Sequence, residues 1–90
     1  MEEYSKEVEV KNRAGLHTRP AAMLVKLSSQ FKSEIYLIKD GFTINAKSII
    51  GVMTLAAEYG SKLIIKAEGI DSKEAVEKLA ELFNNGFGEP

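Results

Sequence analysis

A single histidine, His17, lies in a run of residues that could together handle a phosphoryl group, residues 13–22. Apolar residues recur after it at the spacing of an amphipathic helix, namely Ala21, Leu24, Leu27 and Phe31. Proline is tolerated in a first helical turn, where its missing N–H would have had no partner, so Pro20 marks the start of this helix. The spacing therefore predicts that His17 lies at a helix N-terminus.

This position would supply the parts of an anion site. The first-turn N–H groups, led by those of Thr18 and Arg19, are free and carry the positive end of the helix dipole, and the Arg19 guanidinium adds a full charge. The same field disfavours imidazolium, which leaves His17 with a lone pair that can attack a phosphoryl donor. Each contact of a phosphate with the helix end would contribute about 0.3–1 kcal/mol. The alternative is a histidine that a surface loop merely tolerates.

Composition limits the classes of function. Ninety residues, 44% of them hydrophobic, predict one domain over residues 1–90. A net charge of −1 provides no general attraction for nucleic acid or an anionic membrane. With no cysteine and one histidine, the chain can form neither a cysteine-based zinc site nor a histidine cluster, and we expect no metal and no cofactor. No apolar run has membrane-spanning length and the acidic N-terminus has no signal core, so we expect a cytoplasmic protein.

The periodicities along the chain predict the element order βαββαβα. Alternation predicts strands over residues 4–10, 35–38, 42–46 and 62–68, and Asp40-Gly41 is typical of a two-residue hairpin turn between the second and third. Helices are expected over residues 18–30, 48 to 53 or 55, and 71 to 86, where Gly86 ends the last one. Asp71, followed three residues later by Glu74, resembles a capping box at the start of that last helix.

These elements pack most simply as one antiparallel sheet. Four amphipathic strands and three helices that are apolar on one side favour a four-stranded sheet with the helices on one face and water on the other. The predicted fold class is α+β, an open-faced β-sandwich. A ferredoxin-like split βαβ sheet has the same order of elements with different strand pairing, and the pattern alone does not separate the two.

Two motifs resemble those of the HPr family, the histidine-containing phosphocarrier proteins of the bacterial phosphoenolpyruvate:sugar phosphotransferase system. They are Gly-Leu-His-Thr-Arg-Pro-Ala at 15–21 and Asn-Ala-Lys-Ser-Ile-Ile-Gly-Val-Met-Thr-Leu at 45–55, and the resemblance covers nearly the whole chain. It implies strand order 1-4-2-3. It also implies that Nδ1 of His17 accepts the phosphoryl group, which Arg19 and the main-chain N–H groups of Thr18 and Arg19 then hold. The implied protein is a monomeric carrier, not an enzyme, which takes the group from phosphorylated enzyme I and passes it to sugar-specific enzyme IIA domains.

Ser48 is expected to act as the N-cap of the second helix, where a serine contributes about 1 kcal/mol. The segment Ser48–Met53 also resembles the HPr branch whose serine is phosphorylated by a dedicated kinase. The resemblance thus implies regulatory phosphorylation of Ser48, with an HPr kinase/phosphorylase and a catabolite-control transcription factor as further partners. It places a docking surface at Ile49 and Met53, which a basic rim surrounds, formed by Arg19, Lys26 and Lys47.

The chain departs from the family pattern at four positions. Ala14 replaces a small polar residue, Ala56 replaces a glycine, and Ile50 replaces a methionine. Glu58 adds a carboxylate that would repel a phosphate if it faced one. The alternative function is a regulatory adaptor that acts mainly through phosphorylated Ser48, although serine-only relatives lack the histidine that is present here. A ferredoxin-like RNA or small-ligand binder is disfavoured, because the chain has no basic stripe and its strands show no paired exposed aromatic residues on one face.

Overall fold

The computed structural model describes residues 2–90 and has the predicted order of elements, followed by one additional 3-10 turn. The strands are β1 (Glu3–Glu9), β2 (Glu34–Lys39), β3 (Phe42–Asn45) and β4 (Lys62–Glu68). The helices are α1 (Thr18–Ser28), α2 (Ile49–Thr54) and α3 (Ser72–Asn84), and the 3-10 turn is Gly86–Gly88. Within residues 2–90, no helix is both long enough and apolar enough to cross a membrane.

The four strands form one antiparallel sheet in the order β1-β4-β2-β3, which confirms the fold class and the strand order. Opposite residues share a face of such a sheet, and the pairs Val8–Leu63 and Leu37–Ile65 are buried. On the other face, Ile64 is 40% exposed. Helix α3 packs across β1 and β4, α1 packs beside α3 and α2, and α2 contacts β3. The core therefore lies between one sheet face and the helices.

The β2–β3 hairpin turns at Asp40 and Gly41, as predicted. Both residues have positive φ, at 50° and 84°, which is the backbone shape of the two-residue turn that matches strand twist. Phe42 follows at the start of β3 and is 71% exposed. A residue so close to the turn therefore does not reach the core.

One predicted contact, the capping box at Asp71 and Glu74, is wrong. Asp71 is the N-cap of α3 but makes no side-chain cap hydrogen bond. Its carboxylate instead accepts hydrogen bonds from the N–H of Lys32, the N–H of Ser33 and the hydroxyl of Ser33. These bonds lower the pKa of Asp71, the Ser33 side chain contributing most. The Asp71 carboxylate is therefore hydrogen-bonded to the loop that joins α1 to β2 and not to the first turn of α3.

We expect Asp71→Asn to lower the free energy of unfolding at neutral pH, because an amide offers these donors only one oxygen and no charge. A pKa that is lower in the folded state stabilises above the unfolded value, near 3.8 for Asp71, and the stabilisation is lost as pH falls through the folded value. Urea unfolding should therefore show a difference between the variant and the parent at pH 6 that shrinks in acid. Glu77→Gln, an exposed substitution in the middle of α3, is the matched control and should cost much less stability at pH 6.

Candidate functional site

Helix α1 begins where the sequence predicts, and His17 is its N-cap. The residue has an extended backbone, with φ −78° and ψ −169°, and its carbonyl accepts the first hydrogen bond of the helix from the N–H of Ala21. The imidazole makes no side-chain cap hydrogen bond. Because first-turn N–H groups have no partner inside a helix, those of Thr18 and Arg19 are available to an anion. The His17 side chain is 42% exposed and can be reached from outside.

The histidine loop, residues 12–17, is held by buried contacts. Asn12 is fully buried, and its Nδ2 donates to the carbonyl of Gly15 over 2.7 Å. The N–H of Leu16 donates to the carbonyl of Ala57 over 2.9 Å, and the Leu16 side chain is buried in the core. The histidine therefore extends from a braced loop rather than from a mobile one.

Gly15→Ala should destabilise the protein by roughly 2–6 kcal/mol, because positive φ and overpacking each cost about 1–3 kcal/mol. Gly15 has φ +73°, and an added Cβ would lie 2.6 Å from the carbonyl oxygen of Ala57. Gly41→Ala separates the two effects, because Gly41 has φ +84° but open space around it. Thermal unfolding should give a clearly larger loss for Gly15→Ala, and equal losses would show that the close approach to Ala57 has no energetic weight.

A carboxylate that sequence analysis did not anticipate lies beside the histidine. The Nε2 atom of His17 is 3.0 Å from Oε1 and 3.1 Å from Oε2 of Glu89. Arg19 donates from Nη1 to Oε2 over 3.0 Å, and Asn12 donates from Nδ2 to Oε1 over 3.0 Å. The hydrogen bond with His17 is the largest cause of a lowered pKa of Glu89, with smaller contributions from Asn12 and Arg19. The sequence predicted only positive groups around the ring, from the helix N-terminus and Arg19. The structure corrects this, because the carboxylate of Glu89 also contacts the ring.

The segment after α3 delivers this carboxylate. Phe87, in the 3-10 turn, is 1% exposed and packs edge-on against Phe83 with 5.0 Å between ring centroids. The N–H of Arg13 donates to the main-chain oxygen of Pro90 over 2.9 Å. One buried aromatic anchor and one backbone hydrogen bond therefore fix Glu89 between them.

Sequence analysis anticipated neither Asn12 nor Glu89, and the sequence indicates the position of one better than that of the other. Asn12 continues the inward parity of Val8 and Val10, so its burial could have been inferred from the alternation of β1. Glu89 lies 72 residues from His17 and belongs to no periodic segment. Only Phe87, an isolated aromatic residue between two glycines, indicates that this part of the chain returns to the core.

The second motif forms α2 and its cap. The hydroxyl of Ser48 accepts a hydrogen bond from the N–H of Gly51 over 3.1 Å, which confirms the predicted N-cap. Val52 and Leu55 face the core, whereas three large apolar side chains of α2 face outward. These define the α2 apolar patch: Ile49, 39% exposed, Ile50, 77% exposed, and Met53, 42% exposed. Ile50 is the most exposed of them, although sequence analysis assigned docking only to Ile49 and Met53.

The lysines of the predicted basic rim differ in their surroundings. Lys26 is exposed in the last turn of α1, seven residues after Arg19, which is two turns and roughly 10 Å along the same helix face. Lys47 is half-buried, and its Nζ donates to the carbonyl of Phe31 over 2.8 Å. Arg19 and Lys26 are thus exposed along α1, with Arg19 paired to Glu89, while Lys47 is hydrogen-bonded to the loop after that helix.

Three of the four departures from the family pattern lie in or beside the histidine loop, and the fourth, Ile50, lies in α2. Ala56 has φ 49°, a conformation that favours the glycine of the family pattern. Ala14 and Glu58 are exposed. In the part of the chain that the structure describes, no group of three or more histidine, cysteine, aspartate or glutamate side chains could hold a metal ion.

The chain is an open-faced sandwich with an exposed histidine at the N-cap of α1, which is the arrangement expected of the phosphocarrier class. The family model for the PTS HPr component phosphorylation site matches residues 4–85. The phosphocarrier protein HPr of Treponema pallidum is 49% identical over 84 residues, which are 93% of this chain and 96% of the relative. The chain therefore belongs to the HPr family.

Two further relatives support this membership. A crystal structure of HPr from Thermoanaerobacter tengcongensis superimposes with a TM-score of 0.90 at 43% identity, covering 100% of this chain and 99% of the other. The HPr-like protein Crh of Bacillus subtilis is 47% identical over 74 residues, 82% of this chain and 87% of Crh. A crystal structure of Crh, described as a swapped dimer, superimposes with a TM-score of 0.75 at 44% identity, covering 89% of this chain and 92% of the other.

Proposed function

We propose that His17 accepts a phosphoryl group from phosphorylated enzyme I and passes it to sugar-specific enzyme IIA domains in bacterial sugar uptake. The observation that carries the proposal is the position of His17. The His17 side chain is 42% exposed at the start of α1, makes no hydrogen bond to the first-turn N–H groups, and contacts the same carboxylate as the Arg19 guanidinium. The chain also belongs to a family of phosphocarrier proteins. The protein is then a relay that is itself modified, not an enzyme.

The transfer needs no group beyond those present. The lone pair of a ring nitrogen, Nδ1 by resemblance to the family, forms a bond to phosphorus while the bond from phosphorus to the donor breaks, and the donor keeps that electron pair. The N–H groups of Thr18 and Arg19 and the Arg19 guanidinium bind the phosphoryl oxygens as their charge develops. Transfer to the next protein is the same step with His17 as the leaving group.

The proposed docking surface for the partner proteins is the α2 apolar patch with the positive charges of Arg19 and Lys26. Charge at an interface steers association, and large exposed apolar side chains supply contact area, so partners with an acidic rim around an apolar centre fit best. Lys47 directly precedes Ser48, and it adds a third positive charge beside the α2 apolar patch. We propose that the carrier acts as a monomer in the cytoplasm, and sedimentation equilibrium would distinguish this from a dimer like that described for Crh.

A second function, regulation through phosphorylated Ser48, is favoured by one observation. Ser48 caps α2 directly beside the α2 apolar patch, so a phosphate there changes the charge of the docking surface without requiring a new fold. The similarity to Crh points the same way. In this proposal a HPr kinase/phosphorylase adds the phosphate, and a catabolite-control transcription factor binds the modified protein.

Incubation of the protein with phosphoenolpyruvate and enzyme I, followed by intact-mass analysis, tests the carrier function. We expect one added phosphate that is lost in acid and retained in base, as a phosphorylated ring nitrogen requires. Omission of enzyme I is the control and should give no modification. An unmodified protein, or a phosphate that survives acid, would rule out the carrier function of His17.

A further inference from the structure

Several contacts hold the Glu89 carboxylate beside the His17 ring. The Glu89 side chain is only 12% exposed, and both of its oxygens face Nε2 of the ring, at 3.0 and 3.1 Å. Asn12, which is fully buried, donates both to Glu89 and to the carbonyl of Gly15 in the loop that carries His17. One side chain therefore sets the distance between the carboxylate and the histidine loop.

We propose that Glu89 is a positioning residue for phosphoryl transfer, which holds the His17 ring with its proton on Nε2 and leaves the lone pair on Nδ1. The proposal rests on the proposed function, in which His17 is the acceptor. An ionised carboxylate only accepts hydrogen bonds, so the nitrogen between its two oxygens carries the hydrogen. In a neutral ring the lone pair is then on Nδ1, turned away from the carboxylate.

The same contact assists the reaction as it proceeds. The Nδ1 lone pair forms the bond to phosphorus as the donor's bond breaks, and no proton leaves Nδ1 because none is there. The ring, with its hydrogen still on Nε2, gains positive charge, which the carboxylate of Glu89 stabilises. The oxygens of Glu89 lie on the Nε2 side of the ring, away from the incoming phosphoryl group.

Glu89 also orients the second charged group of the site. Arg19 uses one N–H of Nη1 for Oε2 of Glu89. A guanidinium has five N–H donors in a planar fork, so its other donors stay free for phosphoryl oxygens. Glu89 thus holds the acceptor ring and the phosphate-binding cation in one arrangement before a donor arrives.

The groups that face this carboxylate are the Nε2–H of His17, the amide of Asn12 and the guanidinium of Arg19, and all three donate hydrogen bonds that favour its ionised form. The pKa of Glu89 is lowered, mainly through the hydrogen bond with His17, in agreement with this geometry. The contact is therefore complete above the ordinary value of 4.5 and is lost as pH falls through the lowered pKa. Positioning by Glu89 persists throughout the neutral range.

Glu89→Ala and Glu89→Gln test the proposal, with Glu77→Ala, an exposed glutamate on α3, as the matched control. ¹⁵N spectra of the ring report the tautomer, and rates with phosphorylated enzyme I report transfer. For Glu89→Ala we expect about threefold more of the Nδ1–H tautomer and a kcat about tenfold lower, with KM nearly unchanged. Glu89→Gln retains an oxygen acceptor, so its tautomer should stay close to that of the parent while its kcat lies between the two. Glu77→Ala should match the parent in both measurements.

An unchanged tautomer or an unchanged kcat in Glu89→Ala would overturn the proposal, whichever of the two fails to move. A rise in KM alone would also overturn it, because Glu89 would then act in docking. If the parent protein accepts no phosphoryl group, the carrier function fails instead, and the tautomer comparison still decides whether Glu89 sets the proton on His17.

Discussion

His17→Ala is expected to abolish phosphoryl acceptance, with no modification detectable by intact mass after prolonged incubation with phosphoenolpyruvate and enzyme I. The alanine has no lone pair to attack phosphorus, and the chain has no other histidine to replace it. The fold should remain, because exposed residues usually change the free energy of unfolding by less than about 1 kcal/mol. Urea unfolding of the variant and the parent checks this second half.

A second measurement on the same variant reports the local contact. Because the hydrogen bond from His17 is the largest cause of the lowered pKa of Glu89, that pKa should rise towards its ordinary value of 4.5 in His17→Ala. Lys11→Ala, an exposed change just before the histidine loop, is the control and should be phosphorylated as the parent is. Phosphorylation of the alanine variant at the rate of the parent would exclude His17 as the acceptor.

Local features of the fold could be predicted from the sequence because their causes are local. Alternation indicates β1 and β4, the spacing from Ala21 to Phe31 indicates α1, and the Asp40-Gly41 pair indicates the hairpin. The ends of the helices are predicted less closely: the pattern extends α1 to residue 30, whereas the structure ends it at Ser28. The position of His17 at a helix N-terminus follows from the same local rules, and the structure confirms it.

Strand order could not be predicted from pattern, because it depends on which strands meet after the chain has travelled far. β1 pairs with β4, and β2 joins β4 on its other side, yet a ferredoxin-like sheet would satisfy the same alternation. Only the resemblance to the HPr family implies the order that the structure shows. Asp71 shows the same limit for a side chain: its local partners suggested a cap, and a loop 38 residues away took the carboxylate.

The candidate site likewise has one part that the local sequence predicts and one part that it does not. The histidine, the arginine and the helix N-terminus are neighbours in sequence, so one local pattern brings them together. Glu89 reaches them only because Phe87 is buried and the segment after α3 lies against the histidine loop. Its carboxylate changes the electrostatics that the local pattern predicted, from a ring among positive groups to a ring between a guanidinium and a carboxylate.

Ser48→Asp should slow the phosphorylation of His17 by enzyme I about tenfold or more. The substitution places a negative charge beside the α2 apolar patch, where the proposed partner is acidic, and like charges brought together at an interface cost several kcal/mol, of which about 1.4 kcal/mol is already tenfold. The fold should be unaffected, because aspartate is as good an N-cap as serine and can accept the hydrogen bond from the N–H of Gly51. Initial rates at low protein concentration measure the effect.

Two control variants separate the charge from the cap. Ser48→Asn keeps a good N-cap and the shape of aspartate without its charge, so it should transfer at nearly the parent rate. Ser48→Ala removes the acceptor for Gly51 and should lower stability by about 1 kcal/mol, which is about 4–8 °C in Tm, while transfer stays close to normal wherever the protein is folded. Because the aspartate and asparagine variants differ only in charge, equal transfer rates for these two would mean that Ser48 acts as a helix cap alone, and regulation through this residue would have no electrostatic basis.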